Sequence, residues 1–243
     1  MRFIRKIRYD QDIDLIKHPG HVFWYGLLLL CVVGAPFFLD NYLLGELAQV
    51  FIYAIAGAGL MLLVGYTGLV SLGHGAFLAL GAYLHGYLFN AGLPLPVSLA
   101  LASMITAIIG GIISIPALRM TGIYLAVATL AFAVIIEQVL VHWEGVTGGL
   151  RGMPIPPAEM FGVALNTPQA FYFLCLFLLL CSLWLVLNVL RSPSGRAMLA
   201  IRDSETSAES MGINLARTKA LAFAISCLLY TSDAADEGLG VDL

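Results

Sequence analysis

Residues 47–118 read "LAQVFIYAIAGAGLMLLVGYTGLVSLGHGAFLALGAYLHGYLFNAGLPLPVSLALASMITAIIGGIISIPAL", 72 residues without one Asp, Glu, Lys or Arg. A second charge-free run, Met160–Leu190, adds 31 more. The whole chain of 243 residues is 60% hydrophobic and 11% charged, where a soluble domain carries about 25% charged residues. A chain of this length buries too little of its surface to hide so much apolar area in one globular core. A bilayer removes the difficulty. A membrane-crossing helix needs about 20 apolar residues, and the two runs supply several such lengths. They do not show the alternation of barrel strands about 10 residues long.

The breaks within the long run divide it into spans. Pro94 and Pro96 interrupt it once, and Gly65, Thr67 and Gly68 interrupt it again. The expected spans are 21–39, 47–66, 70–90, 96–118, 121–141 and 169–190, with a seventh starting near Leu221. The expectation is an all-α, polytopic transmembrane helical bundle of about six complete spans plus a truncated seventh. The N-terminal segment, residues 1–20, is basic but too long in its polar part for a signal peptide, and no small-x-small cleavage site follows it. It reads as a cytoplasmic tail.

Charge gives an independent check on orientation. With the N-terminus inside, Arg2, Arg5, Lys6, Arg8, Lys17, Arg119, Arg191, Arg196, Arg202, Arg217 and Lys219 all fall on the cytoplasmic side, and Arg151 alone falls outside. That asymmetry is the positive-inside pattern. The four cysteines, Cys31, Cys175, Cys181 and Cys227, lack metal-ligand spacing and read as small apolar residues.

Within the run, residues 65–83, "GYTGLVSLGHGAFLALGAY", combine small residues with a central histidine. Gly75/Ala79 and Ala82/Gly86 have the spacing that lets helix backbones approach closely in a membrane. The glycines from Gly65 to Gly73 suggest an irregular lead into the third span. Irregular backbone at membrane depth is tolerated only against protein or a water-filled cavity. Ser71, Gly73, His74 and Gly75 are therefore candidates for a translocation path. Glu137, an ionisable group near the outer end of the fifth span, and Thr147 in the loop beyond it join them. Residues 191–219 form a long polar loop. In it Thr206 to Glu209 has the pattern of a capping box, and Gly212 and Asn214 suit a helix stop. Short helices are expected at about 195–202 and 206–211.

These segments resemble the permease subunits of branched-chain amino acid ABC importers. The resemblance rests on "GYTGLVSLGHGAFLALGAY", "TGIYLAVATLAFAVIIEQV", "TGGLRGMPIP" and "SGRAMLAIRDSETSAESMGINLARTKALAFAIS", in that order, and covers roughly residues 22–226. The basic tail resembles the longer of the two permease types. The resemblance implies a transmembrane permease domain over 21–226 with its coupling loop at 191–219. There "AESMG" would dock on an ATPase, with Gly195, Arg196, Arg202, Asp203, Glu205, Glu209 and Gly212 as the coupling residues. It also implies the partners: a second permease subunit, two cytoplasmic ATPase subunits, a periplasmic substrate-binding protein and the lipid bilayer of a bacterial inner membrane, and no nucleic acid. No G-x-x-x-x-G-K-[ST] phosphate loop occurs in the chain, so ATP would be used by partners, and no cofactor or catalytic set is expected here. A urea or short-amide permease of the same family is the nearest alternative. A channel or secondary carrier is another, although the charge-free run leaves it few ionisable groups in mid-span.

The last stretch does not fit a seventh span. "CLLYTSDAADEGLGVDL", residues 227–243, places Asp233, Asp236, Glu237 and Asp242 where apolar residues should continue. It resembles one reading frame of a transposon-type sequencing adapter and is expected to be non-native. Without those four acids the chain has 11 acids and 12 bases, so its formal charge moves from −3 to +1.

Overall fold

The computed structural model describes residues 19–117, 123–149, 153, 159–160, 163–164 and 167–240. The basic tail up to Lys17, Arg119, Arg151 and Asp242 lie outside the described residues. Helix α1 is Pro19–Gly34 and closes in a single 3-10 turn, Ala35–Phe37, where Pro36 cannot continue an α-helix. α2 is Asn41–Leu60 and runs on as a π-helical segment, Met61–Tyr66. α3 is His74–Asn90, α4 Leu95–Ala117, α5 Ile123–His142 and the short α6 Glu144–Thr147. Two-residue strands, β1 Glu159–Met160 and β2 Val163–Ala164, pair antiparallel. α7 is Pro168–Arg191, α8 Pro193–Asp203, α9 Glu205–Ser210 and α10 Leu215–Gly240.

Four helices among the described residues are long and apolar enough to cross a membrane: Asn41–Tyr66, Leu95–Ile113, Tyr124–His142 and Pro168–Arg191. The first and third expected spans are present but shorter, as Phe23–Phe37 and His74–Asn90. α3 has 17 residues, about 25 Å at 1.5 Å per residue. It is short because residues 68–73 leave the helix, so the span begins at His74 and not at residue 70. The outward glycine and proline signals hold. Gly92 takes the left-handed conformation at φ 91°, just before Pro94, between α3 and α4.

The core lies in two storeys along α2 and α7. At one end Leu44, Ala48, Phe51 and Ile52 pack with Phe171, Tyr172, Cys175 and Leu176. The Tyr172 hydroxyl donates to the Val32 carbonyl at 2.7 Å, which fastens α1 to this storey. At the other end, which carries Arg191, Arg202 and Lys219, the core is Ile55, Leu62, Leu63, Leu69, Leu125, Val186, Leu190, Met198, Ala222 and Phe223. Since α2 and α7 run in the same direction, residues near their C-termini share this basic end.

Close helix contacts occur at glycines, as expected in a membrane; of the two expected pairs, Ala82/Gly86 has its glycine buried, whereas Gly75/Ala79 does not make such a contact at its glycine. Gly75 is exposed, and a Cβ there would meet nothing within 4 Å. The tight approaches are instead Gly59 against Ser226 of α10, Gly73 against Thr129 of α5, and Gly110 of α4 against the Cys227 sulfur. The Ser226 hydroxyl adds a 2.9 Å hydrogen bond to the Gly59 carbonyl. α10 is continuous through Asp233, Asp236 and Glu237 to Gly240, and Cys227, Leu229 and Tyr230 are buried in the bundle.

Candidate functional site

The glycine-rich stretch folds as an elbow. After the π-helical turn the Thr67 hydroxyl donates to the Leu62 carbonyl at 3.0 Å, and Gly68 turns the chain with φ 71°. Leu69 donates its amide to Leu63. The chain then runs inward without helical structure to Gly73. There the Leu72 amide donates to the Thr129 hydroxyl at 2.9 Å, and that hydroxyl donates in turn to the Ala126 carbonyl. Thr129 lies six residues inside the start of α5, a depth of about 9 Å along that helix. α3 thus begins within the bundle, at an irregular segment packed against protein.

Ser71 and Gly73 are buried in this elbow, and the Gly73 amide donates to the Ser71 hydroxyl at 3.4 Å. The His74 ring stands edge-on to Tyr230 with centroids 5.1 Å apart, and its Nε2 is buried without a hydrogen-bond partner among the described residues. Gly75 faces outward. The other two path candidates do not join this group. Glu137 is exposed on the outer surface of α5. The Thr147 hydroxyl donates to the Leu140 and Trp143 carbonyls at 2.6 and 2.9 Å and accepts from the Gly149 amide at 3.2 Å. Thr147 is therefore a clasp on the turn after α5. His85 is fully buried, although its position near the end of α3 reads as approaching the surface. Its Nδ1 lies 3.1 Å from the Ser98 hydroxyl, which bridges α3 and α4.

The polar loop forms a platform at the basic end. α7 turns into α8 at Ser192-Pro193, where the Ser192 hydroxyl donates to the Val189 carbonyl at 2.6 Å. A Cβ at Gly195 would fall 2.5–2.6 Å from backbone atoms of Val189 and Leu190, so only glycine fits this turn. Met198 anchors α8 in the core, and Ile201 of the same helix is buried. Both loop helices are present, slightly longer or shifted relative to the sequence pattern. The cap of α9 is Ser204, two residues before the expected Thr206, and its hydroxyl accepts from the Ser207 amide at 3.3 Å. Glu209 does not reach back to close a capping box but is exposed. Gly212, at φ 82°, ends α9 as expected, whereas Asn214, also expected as a stop, instead caps the start of α10 by accepting from the Arg217 amide at 3.0 Å.

Two polar contacts among the described residues add to this anchorage. Lys219, whose side chain is 3% exposed, donates to Glu205 at 2.7 Å. Arg202 Nη1 donates to the Gly65 carbonyl at 2.6 Å, and its stem lies over Gly68. What remains outward is Arg196, Asp203, Thr206, Ser207, Glu209, Ser210, Gly212 and an exposed Met211. This is a polar surface with one large apolar side chain at its tip. Among the described residues no three His, Cys, Asp or Glu side chains converge as metal ligands. Neither Arg202's contact with Gly65 nor the Lys219–Glu205 pair is visible as a spacing, since each joins segments far apart in the chain. Thr129, a hydroxyl within an apolar span, was the one signal for the elbow's partner.

The family model described as "Branched-chain amino acid transport system / permease component" matches residues 42–229. Two similar proteins are named high-affinity branched-chain amino acid transport system permease protein LivM. The one from Salmonella typhimurium strain LT2 is 33% identical over 224 residues, and the one from Escherichia coli strain K12 is 32% identical. Each alignment covers 82% of this chain and 53% of the relative. The autoinducer 2 import system permease protein LsrC of Enterobacter sp. strain 638 is 29% identical over 208 residues, covering 80% of this chain and 55% of that one. The chain thus spans about half the length of the curated relatives it matches. No solved structure matches it. The glycine-rich elbow, helices α3 to α7 and the loop platform lie within the matched region, and the chain belongs to the family of branched-chain amino acid transport system permease components.

Proposed function

We propose that this chain is the membrane-spanning translocation subunit of an ATP-driven importer for branched-chain aliphatic amino acids. It works in a bacterial inner membrane with its N-terminus in the cytoplasm. The partners are a second permease, two ATPases and a periplasmic binding protein. ATP is bound and hydrolysed on the ATPases, and this chain supplies no catalytic group. The observation that carries the reading is the platform of α8 and α9. It is an exposed helix pair fixed to the transmembrane helices by buried Met198 and Ile201, by the bond from Arg202 to the Gly65 carbonyl, and by Glu205, which accepts from Lys219 of α10. A surface so built transmits the motion of a docked ATPase to the bundle and permits alternating access by a rigid-body shift.

Glu209→Lys is the direct test, because Glu209 is exposed and its replacement leaves the bundle intact. The complex should keep its amount in the membrane and lose ATP-driven uptake. Gly212→Trp should do the same, with added strain from the left-handed backbone at φ 82°. Normal uptake in Glu209→Lys would remove the platform's role. Substrate choice is tested by competition among leucine, urea and autoinducer 2, the cargo named for one relative. Leucine should compete best. Residues 227–243 belong in this proposal as a non-native tail, supported by the resemblance of their sequence to an adapter and by the acids where a span should continue.

A further inference from the structure

We infer that Arg202 is a positioning residue that joins the ATPase-facing platform to the elbow opening α3, so that the two move as one body. The inference rests on the importer reading and extends it to a particular connection. Three observations meet at this residue. The π-helical segment Met61–Tyr66 is followed by a break in which the Leu69 amide donates to Leu63. The Leu69 amide is the donor that a continued α-helix would give to Gly65. Arg202 Nη1 takes that place at 2.6 Å. Gly68, at φ 71°, presents its bare Cα to the Arg202 stem, and a Cβ there would lie 3.2 Å from Arg202 Cγ.

The position of the contact makes it mechanical. Arg202 is in the last turn of α8, one residue from the end of that helix. Ser204 follows and caps α9, whose far end carries exposed Glu209 and Met211. On the other side, Gly65 lies in a π-helical turn, a form frequent at functional sites. The elbow beyond it ends at Gly73, pressed against the Thr129 backbone within α5. A displacement of α8 is therefore handed to the start of α3 and to α5, with the guanidinium as the directional polar link beside the apolar packing of Met198 on Leu62, Leu63 and Leu69. A charged, planar donor on a backbone carbonyl is directional in a way that apolar contacts are not.

The test uses the transporter assembled with its partners and measures both ATP hydrolysis and uptake. Arg202→Met keeps the stem and removes the donor. Uptake per ATP hydrolysed should fall about tenfold, the scale of one coupling contact. Arg202→Lys, which keeps one donor, should recover part of the loss. Uptake per ATP that is unchanged, or rates that fall together, would overturn the inference.

A second variant covers poor assembly. The ideal Cβ of residue 68 lies 3.8 Å from the Arg202 Cβ, the usual separation in a disulfide. Gly68→Cys with Arg202→Cys, in a background with exposed Cys31 and Cys181 replaced by serine, should be uncoupled when reduced and regain coupling when oxidised. An oxidised pair that hydrolyses ATP without uptake would show that the elbow and platform must separate, against the inference. If the unaltered complex shows no ATP-driven uptake, the importer reading fails by itself. The connection is then read from hydrogen exchange, which Arg202→Met should raise about tenfold in residues 61–73 and leave unchanged in α7. Equal exchange in both forms would overturn it.

Discussion

Removing Glu205 and removing Lys219 should have very different costs, although the two residues are halves of one contact. Lys219 Nζ is 2.7 Å from Glu205 Oε1, and the side chains are 3% and 39% exposed. Taking away the carboxylate leaves an ammonium in a site with almost no water. The cost is the charge-assisted hydrogen bond and part of the desolvation of the cation, about 1.5–3 kcal/mol. Taking away the lysine leaves a carboxylate that already reaches water and rehydrates. An apolar stem of similar length fills the lysine site, so Lys219→Met should cost about 0–1 kcal/mol. The assay is hydrogen exchange of the α9 amides, which reports local opening. Glu205→Ala should speed exchange about 10- to 150-fold, since each 1.4 kcal/mol is a factor of ten. Lys219→Met should change it less than about fivefold, and the double variant should resemble Lys219→Met. Equal effects of the two single substitutions, or a larger effect for Lys219→Met, would refute the argument from burial.

The neighbouring glycines of the central motif should part company. Gly73→Ala puts a Cβ 2.8 Å from the Thr129 carbonyl oxygen and should destabilise the bundle by about 1–3 kcal/mol. Gly75→Ala meets nothing within 4 Å and should be neutral or stabilising by about 0.5–1 kcal/mol. Thermal unfolding in detergent followed by size-exclusion chromatography checks both. At the loop, Ser204→Ala should weaken α9 by about 0.5–1 kcal/mol, at the low end for a cap because its bond is 3.3 Å long. Thr206→Ala should have little effect on α9 exchange. Sequencing of the source locus through codon 226 should show a frame that does not encode residues 227–243 as they stand. Finding those codons in the native gene would end the adapter account.

The spans were legible because lipid imposes a long apolar period that few other environments demand. Proline and glycine then marked most of the ends, as at Pro94 and Ser192-Pro193. The elbow was legible as an irregularity between Gly65 and Gly73, but its depth depends on Thr129, 57 residues further on. Small-residue spacing misled at Gly75. Several glycines lie on one helix, and periodicity alone does not say which of them meets a neighbour. The α9 cap was misplaced for a related reason. Ser204, Thr206 and Ser207 are all competent caps, and the choice falls to where α8 releases the chain at Asp203. Of the residues grouped as a path, Ser71, Gly73 and His74 come together, while Glu137 and Thr147 lie elsewhere. A carboxylate in an apolar sequence attracts notice whether it points into the bundle or away from it, and Glu137 points away.

Uptake of radiolabelled leucine into proteoliposomes tests the central claim most directly. The complete transporter is built from the native gene and its partner subunits, with ATP and the binding protein supplied on their proper sides. Uptake that requires ATP, the binding protein and an intact Glu209 is the predicted result. Leucine entry that persists without ATP or the ATPases would contradict the account and leave a channel or secondary carrier in its place.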